Sequence, residues 1–338
     1  MNRAMNGLLA LVCVAGTSAH CGVGPDGSSS EALSGARPVN RGLLMRGPTP
    51  PPADLSSVVH GYIIEGQWDV LQPKKDEPIV TASIDSAVAA VRAWNKANPK
   101  NPQGLRLRIE AGIHAPSWVN AMAGGPVAVS SPSGETGTVP RWWTEPVQDA
   151  YTSFVADVAA YVDPIAEVRE VTVGLTMEFY GELFIRFPAQ NAAALEAAGF
   201  TQALDIAAME SSFRAHLAFK HAVTQIDVNA YEELNGGNAL TVTQQLMDYA
   251  LGLGLPAVQF ANASLTDTGN DSLYALMEEY GPEGSKKAAI TFQTMPTVGN
   301  VATVIDRAIA VGATSVEIPT SPGTASVLAP LDEALQKN

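Results

Sequence analysis

The residues best equipped for chemistry in this chain are carboxylates. In the stretch EVTVGLTMEFYGELF, residues 170–184, Glu178 and Glu182 flank a Phe-Tyr-Gly segment, and Glu317 stands far downstream in TSVEIP. Asp227, Asn229 and Gln293 add polar side chains to the short apolar segments QIDVN and AITFQT. Carboxylates gathered at one opening can move protons or stabilise charge at a reacting centre. Buried polar groups left unsatisfied cost on the order of 1–3 kcal/mol each, so a cluster of them must pair internally or bind something.

Strand parity is what would gather them. Val171, Val173, Leu175 and Met177 alternate with Thr172, Gly174, Thr176 and Glu178, the period of a strand with one apolar face and one polar or small face. The spacing predicts that Glu178 ends this strand facing inward and that Glu182 follows after a turn. The same parity turns Arg106, Arg108 and Glu110 inward, and likewise Asp227 and Asn229, Thr291 and Gln293, and Ser315 and Glu317. Arg106, Arg108, Glu110 and Asp227 also fit a purely structural role, satisfying one another in a packed interior.

Eight strand candidates carry these positions, at 42–45, 58–64, 105–112, the 170–184 stretch, 225–229, 257–261, 288–293 and 315–318. Helical apolar spacing falls between or after them at 83–97, 145–162, 189–198, 204–223, 241–253, 272–280, 301–311 and 326–336. Strands alternating with helices predict a (β/α)8 TIM barrel, one domain over 39–338, with a Gly-, Ser- and Pro-rich insertion at 120–144. In such a barrel the working residues collect where strands end.

The 20 Lys and Arg against 34 Asp and Glu give a net charge of −14, which argues against nucleic acid as a partner. Residues 1–20 read as an export signal: Arg3, an apolar run at 7–15 too short for the roughly 20 residues of a membrane span, then small residues. Both cysteines lie in this region, Cys13 in the run and Cys21 just behind it, so the predicted barrel has no thiol. Cys21 and the pliant tract GVGPDGSSSEALSG resemble a bacterial lipoprotein anchor with its tether, which implies a lipid on Cys21 and a linker over 21–38. Ser18-Ala19-His20 departs from the usual lipobox, and cleavage after Ala19 with free secretion is the alternative. The expected location is periplasmic or the outer cell surface in the first case, secreted in the second.

Trp68 and Trp118 follow the second and third strand candidates, and Trp142 and Trp143 close the insertion. Flat indoles around a polar opening suit sugar rings, whose C–H faces are apolar and whose edges carry hydroxyls. Each tryptophan taken alone fits core packing as well. With EGQWDVLQP before it, GIHAPSWV, RWWTEPVQDAYTSFVADVAAYVDP and the strand-four carboxylates resemble clan A glycoside hydrolases, nearest to the β-galactosidase-like barrels of family 42. The resemblance covers roughly residues 58–184, and the remainder by strand order alone.

The resemblance implies a glycosidase with a proton donor after strand four and a nucleophile after strand seven. Glu182, in Tyr180-Gly181-Glu182, matches the donor of related barrels better than Glu178, which fits the register but follows Met177 where an asparagine is customary. Gln293 stands where the nucleophile belongs and cannot carry its charge, leaving Glu317 as the nearest substitute. Strands four and eight lie opposite each other, so the carboxylates should be well apart; a gap of about 6.5–9.5 Å admits water and gives inversion, the expected outcome, whereas about 5–5.5 Å means a covalent intermediate and retention. The expected carbohydrate contacts are Trp68, His114, Trp118, Trp142, Trp143, Tyr180, Asn229 and Gln293. No cofactor or metal is implied: the five histidines show no His-x-His or HExxH spacing, and no P-loop, GxGxxG or GxSxG motif is placed for function. Gln293 also favours a second outcome, a non-catalytic barrel that binds carbohydrate without cutting it.

Overall fold

Short aliphatic and β-branched segments form eight parallel strands: β1 (Gly42–Met45), β2 (Val59–Gln67), β3 (Gly104–Glu110), β4 (Val168–Thr172), β5 (Val223–Asp227), β6 (Val258–Leu265), β7 (Ala289–Thr294) and β8 (Ser315–Ile318). They close in the order β1-β8-β7-β6-β5-β4-β3-β2, each neighbour parallel, so the chain is a (β/α)8 barrel. The structure, a computed structural model, describes residues 35–47, 49–319 and 321–338. The predicted signal, Cys13, Cys21 and most of the predicted linker lie outside those residues. No described helix is long and apolar enough to cross a membrane.

The main helices are α1 (Ala82–Ala97), α2 (Glu145–Val162), α3 (Pro188–Ala197), α4 (Gln202–Ala215), α5 (Leu240–Gly252), α6 (Asp271–Tyr280), α7 (Val301–Ala310) and α8 (Ala325–Lys337). Their apolar stripes explain their docking. In α2, Val147, Tyr151, Phe154, Val155, Val158 and Val162 recur at three- and four-residue steps and are all buried. Caps set several ends: Thr201 Oγ1 accepts from the Leu204 amide at 3.3 Å before α4, and Gly312, at φ +86°, turns the chain out of α7. Outward strand residues such as Leu105, Leu107, Ile290 and Phe292 join these stripes in two core clusters. Fully burying each such side chain stabilises by about 1.5–3 kcal/mol.

Polar side chains fill the barrel interior in layers. Arg106 Nε donates to Glu170 at 2.8 Å, Arg106 Nη2 donates to Thr291 at 3.2 Å, and the Asn40 amide donates to the other Glu170 oxygen at 2.6 Å. Arg106 and Glu170 are essentially unexposed. Arg106 is thus held within the interior, but by Glu170 and Thr291 and not by the expected Glu110 or Asp227.

The fold corrects the predicted fourth strand. β4 ends at Thr172, although the apolar alternation continues to Met177. Beyond Val173 the Gly174 amide donates to the Tyr151 hydroxyl at 2.9 Å, and a side chain at 174 would strike the Ile109 carbonyl. The Thr176 hydroxyl then donates to the Leu183 carbonyl at 3.2 Å, closing a loop. Val173, Leu175 and Met177 remain buried because this loop is packed on both sides. Glu178 is therefore a loop residue, not the inward end of a strand. Helix 204–223 likewise stops at Ala215 and yields to a 3-10 turn at His216–Ala218, and β2 continues past residue 64 to Gln67. The insertion at 120–144 contains a hairpin, Val127–Ser130 against Thr136–Val139.

Candidate functional site

The strand ends meet at one guanidinium. Register sets Glu65 beside Arg108 and Gln293 beside Glu317, so β2, β3, β7 and β8 deliver side chains to the same opening. Arg108 donates to Glu65 at 2.9 Å, to Gln293 at 2.8 Å and to Glu317 at 2.5 Å. Arg46, just past β1, donates to the other oxygen of Glu317 at 3.1 Å and to the Thr294 carbonyl at 2.7 Å. Glu317 points inward, as parity requires, and is unexposed. Burial works against the charge of Arg108, but Glu317, Glu65 and Asp227 more than offset it and raise its pKa above the ordinary value.

The carboxyls around this hub are crowded. Desolvation, opposed by Arg108 and reinforced by Glu110 and Glu317, pushes the Glu65 carboxyl up to about 7. Desolvation and the negative charge of Asp227 push Glu182 up to about 7. Asp227 is itself raised, chiefly by burial, while Gln225 donates to its Oδ1 at 2.7 Å. A Cβ added at Gly181 would sit 3.0 Å from Asp227 Oδ2, so glycine lets the Tyr-Gly-Glu turn approach β5 closely. A carboxyl near neutrality beside ion-paired carboxylates can hold and release a proton at ordinary pH.

Glu178 lies apart from that hub. Its Oε2 accepts from Asn191 Nδ2 at 2.7 Å, and its Oε1 has no partner among the described residues. Burial pushes this carboxyl up to about 8, against the opposing pull of Arg186 and Asn191. Glu178 and Glu182 line a shallow recess with Phe179, Tyr180, Ile185 and Phe187 that has no enclosed room for a water molecule. Its carbonyl oxygen accepts from the Ile113 amide at 3.0 Å, an approach that needs Gly112, whose φ is +44°.

The expected rim of tryptophans is corrected. Trp68 is fully buried, stacked on Phe154 at 5.1 Å, and donates to Gln72 at 3.2 Å. Trp142 is equally buried, donates to Asp205 at 2.8 Å and lies under Arg186, while Trp143 packs edge-on against Trp142 and Phe200. Trp118 is half-buried, edge-on to Trp68, with its indole N–H on the Gln72 carbonyl. These indoles belong to a core cluster or pack against it. Tyr180 is the aromatic at the opening with substantial exposure, 45%; its hydroxyl donates to Glu135 of the insertion hairpin.

His114 stands at the mouth 3.4 Å from Gln67 and 4.0 Å from Glu110. Asn229 accepts from Asn262 at 3.0 Å beyond the end of β5. The structure thus groups Gln293 and Glu317 through Arg108, and Tyr180, Glu178 and Glu182 around the recess. Glu65 and Arg46 were missed at the sequence level. Parity in β2, with Tyr62 and Ile64 outward, would have placed Glu65 inward had the strand been carried one residue further.

Among the described residues no group of three or more His, Cys, Asp or Glu side chains is arranged to hold a metal ion. No protein-family model matches the chain, and no curated protein matches it. The fold is similar to endo-glycoceramidase II from Rhodococcus sp. at 11% identity, covering 87% of this chain and 78% of that one, with a TM-score of 0.49. It is similar to a xylanase, Xyn10A, from Cellvibrio japonicus at 11% identity, covering 90% and 99%, with a TM-score of 0.46. A β-galactosidase from Rahnella sp. R3 aligns at 10% identity over 82% of this chain and 51% of its own, with a TM-score of 0.46. Likenesses this distant carry no weight for activity, and the barrel assignment stands on the strand pairing of this chain.

Proposed function

We propose that the protein is an exported hydrolase of O-glycosidic bonds in oligo- or polysaccharide, with Glu182 as the proton donor and Glu317 as the charged carboxylate at the same mouth. The observation that carries this reading is the turn at Gly181, which brings Glu182 to the cluster of Asp227, Arg108 and the doubly paired Glu317, where burial and Asp227 raise its carboxyl to about 7. Cleavage needs one carboxylic acid to protonate the departing oxygen and a carboxylate to attack carbon or activate water. Glu182 suits the first need, since its raised pKa keeps it partly protonated near neutral pH. The sequence motifs given above resemble those of the family 42 β-galactosidase-like enzymes. Export rests on the N-terminal pattern, with Cys21 as the lipid attachment point if the chain is a lipoprotein.

One observation favours a second reading. Both oxygens of Glu317 are held by Arg46 and Arg108, and Gln293 occupies the strand-seven position. That arrangement suits a barrel that binds carbohydrate without cutting it. Incubation with aryl glycosides and polysaccharides separates the two. Reducing ends released by the wild type and lost in Glu182→Gln and Glu317→Gln support the hydrolase; release unchanged by either substitution removes this site; saccharide binding without release establishes the binding protein.

A further inference from the structure

Of the two carboxylates that Arg108 pairs with among the described residues, one is shut away from solvent and the other is open to it. Glu317 is unexposed, with one oxygen on Arg46 and the other on Arg108. Glu65 has 38% of its side chain exposed while still held by Arg108 Nη1 at 2.9 Å. A group that acts on a substrate must be reachable, and at this hub Glu65 is the reachable carboxylate. Arg46, Glu110 and His114 are partly exposed as well, so solvent meets the ring of charge around the ends of β1, β2 and β3.

Strand geometry fixes where Glu65 stands. Tyr62 turns outward, its hydroxyl donating to the Ala87 carbonyl of α1 at 2.9 Å, so Glu65, three residues on, turns inward near the end of β2. Glu182 approaches the same arginine from the loop after β4: a Cβ added at Gly181 would lie 3.7 Å from Arg108 Cδ and 3.9 Å from its Nε. Both β2 and β4 pair with β3, so two strand spacings of about 4.8 Å, roughly 10 Å in all, separate them. Inward convergence from that spacing matches the gap of about 6.5–9.5 Å at which an acid and a base accommodate a water between them and the sugar.

Resting on the reading of this mouth as a glycosidase site with Glu182 as its acid, we infer that Glu65 is the catalytic base that activates the attacking water, while Glu317 serves to hold Arg108 in place. In the step, the Glu182 carboxylic acid gives its proton to the departing glycosidic oxygen as the bond from that oxygen to the anomeric carbon breaks. The water oxygen bonds to the anomeric carbon from the opposite face, and the Glu65 carboxylate takes the proton that the water loses. Glu182 ends ionised and Glu65 protonated, and exchange with solvent restores both. The configuration at the anomeric carbon is inverted. No nucleophile is then needed after β7, so the uncharged Gln293, which accepts from Arg108 at 2.8 Å, suffices there.

The full chain, wild type and Glu65→Gln, is tested on p-nitrophenyl glycosides and on oligosaccharides, with the first-formed hemiacetal followed by proton NMR. The expected product has inverted configuration, and Glu65→Gln is expected to lower kcat by at least about 100-fold with KM within about threefold of wild type. The urea midpoint of the variant should stay close to that of wild type, because Arg108 keeps Glu317 and Gln293. Sodium formate should restore part of the lost rate to Glu65→Gly by supplying a carboxylate in the vacated space. A loss in kcat below about tenfold, or a product of retained configuration, overturns Glu65 as the base and leaves a glycosidase standing. No cleavage of any glycoside by the wild type removes the glycosidase reading and the base with it.

Discussion

Replacing Arg108 with methionine removes the hub of the barrel mouth while keeping the length of the side chain. Glu317, unexposed, then keeps only Arg46, while Gln293 loses its donor. Glu65, with 38% of its side chain exposed, re-solvates and contributes little. Leaving one buried charge without its partner costs about 3–5 kcal/mol, and the surviving Arg46 contact places the expected loss near the lower end, about 3 kcal/mol. Urea unfolding at pH 7, followed by the fluorescence of the buried tryptophans, measures it. Because the cost lies in an orphaned carboxylate, Arg108→Met combined with Glu317→Gln should recover at least about 1 kcal/mol relative to the single variant. A loss below about 1 kcal/mol for Arg108→Met, or no recovery in the double variant, would show that Glu317 is not a charge held by this network.

Other predictions concern the loop and the indoles. Burial raises the folded pKa of Glu178 from the ordinary carboxylate range to about 8, so its contribution favours folding at low pH and is lost as pH rises through that interval to 8. The wild type should therefore lose stability between about pH 4.5 and 8, on the order of a few kcal/mol, in chemical denaturation, and Glu178→Gln should flatten that dependence; equal slopes would contradict it. Trp142→Ala should cost about 3–5 kcal/mol in the same assay, since it empties a core site and orphans Asp205 Oδ1 of one donor. Trp68→Phe should leave saccharide affinity within twofold of wild type, about 0.4 kcal/mol, in titration calorimetry, whereas a tenfold loss would restore the indole to the binding surface.

Alternation in the sequence located the interior of the barrel well where strands are long enough to have a parity. Arg106, Arg108, Asp227, Gln293 and Glu317 all face inward as their apolar neighbours require, because a parallel sheet covered by helices admits one arrangement of faces. The same signal misled after Thr172. The loop that follows is buried at every position from Val173 to Phe179, so its apolar alternation marks no strand face, and the Tyr151 hydroxyl that captures Gly174 is more than twenty residues away in sequence. Indole positions were legible as well, just past strands and at the end of the insertion, but their partners were not. Phe154, Phe200, Arg186 and Asp205 reach them only once the helices are docked. Glu182 kept its place near the mouth by a route other than the one its sequence context indicated: Gly181 lets the turn fall against Asp227.

The pH–rate profile of glycoside cleavage by the wild type and by Glu182→Gln addresses the central claim most directly. A proton donor held near 7 predicts a wild-type rate that declines above about pH 7 as Glu182 ionises, and a variant slowed by about 10²–10⁴-fold on substrates with poor leaving groups. A rate that is flat from pH 5 to 9, or a variant as fast as wild type, would contradict Glu182 as the acid of this barrel.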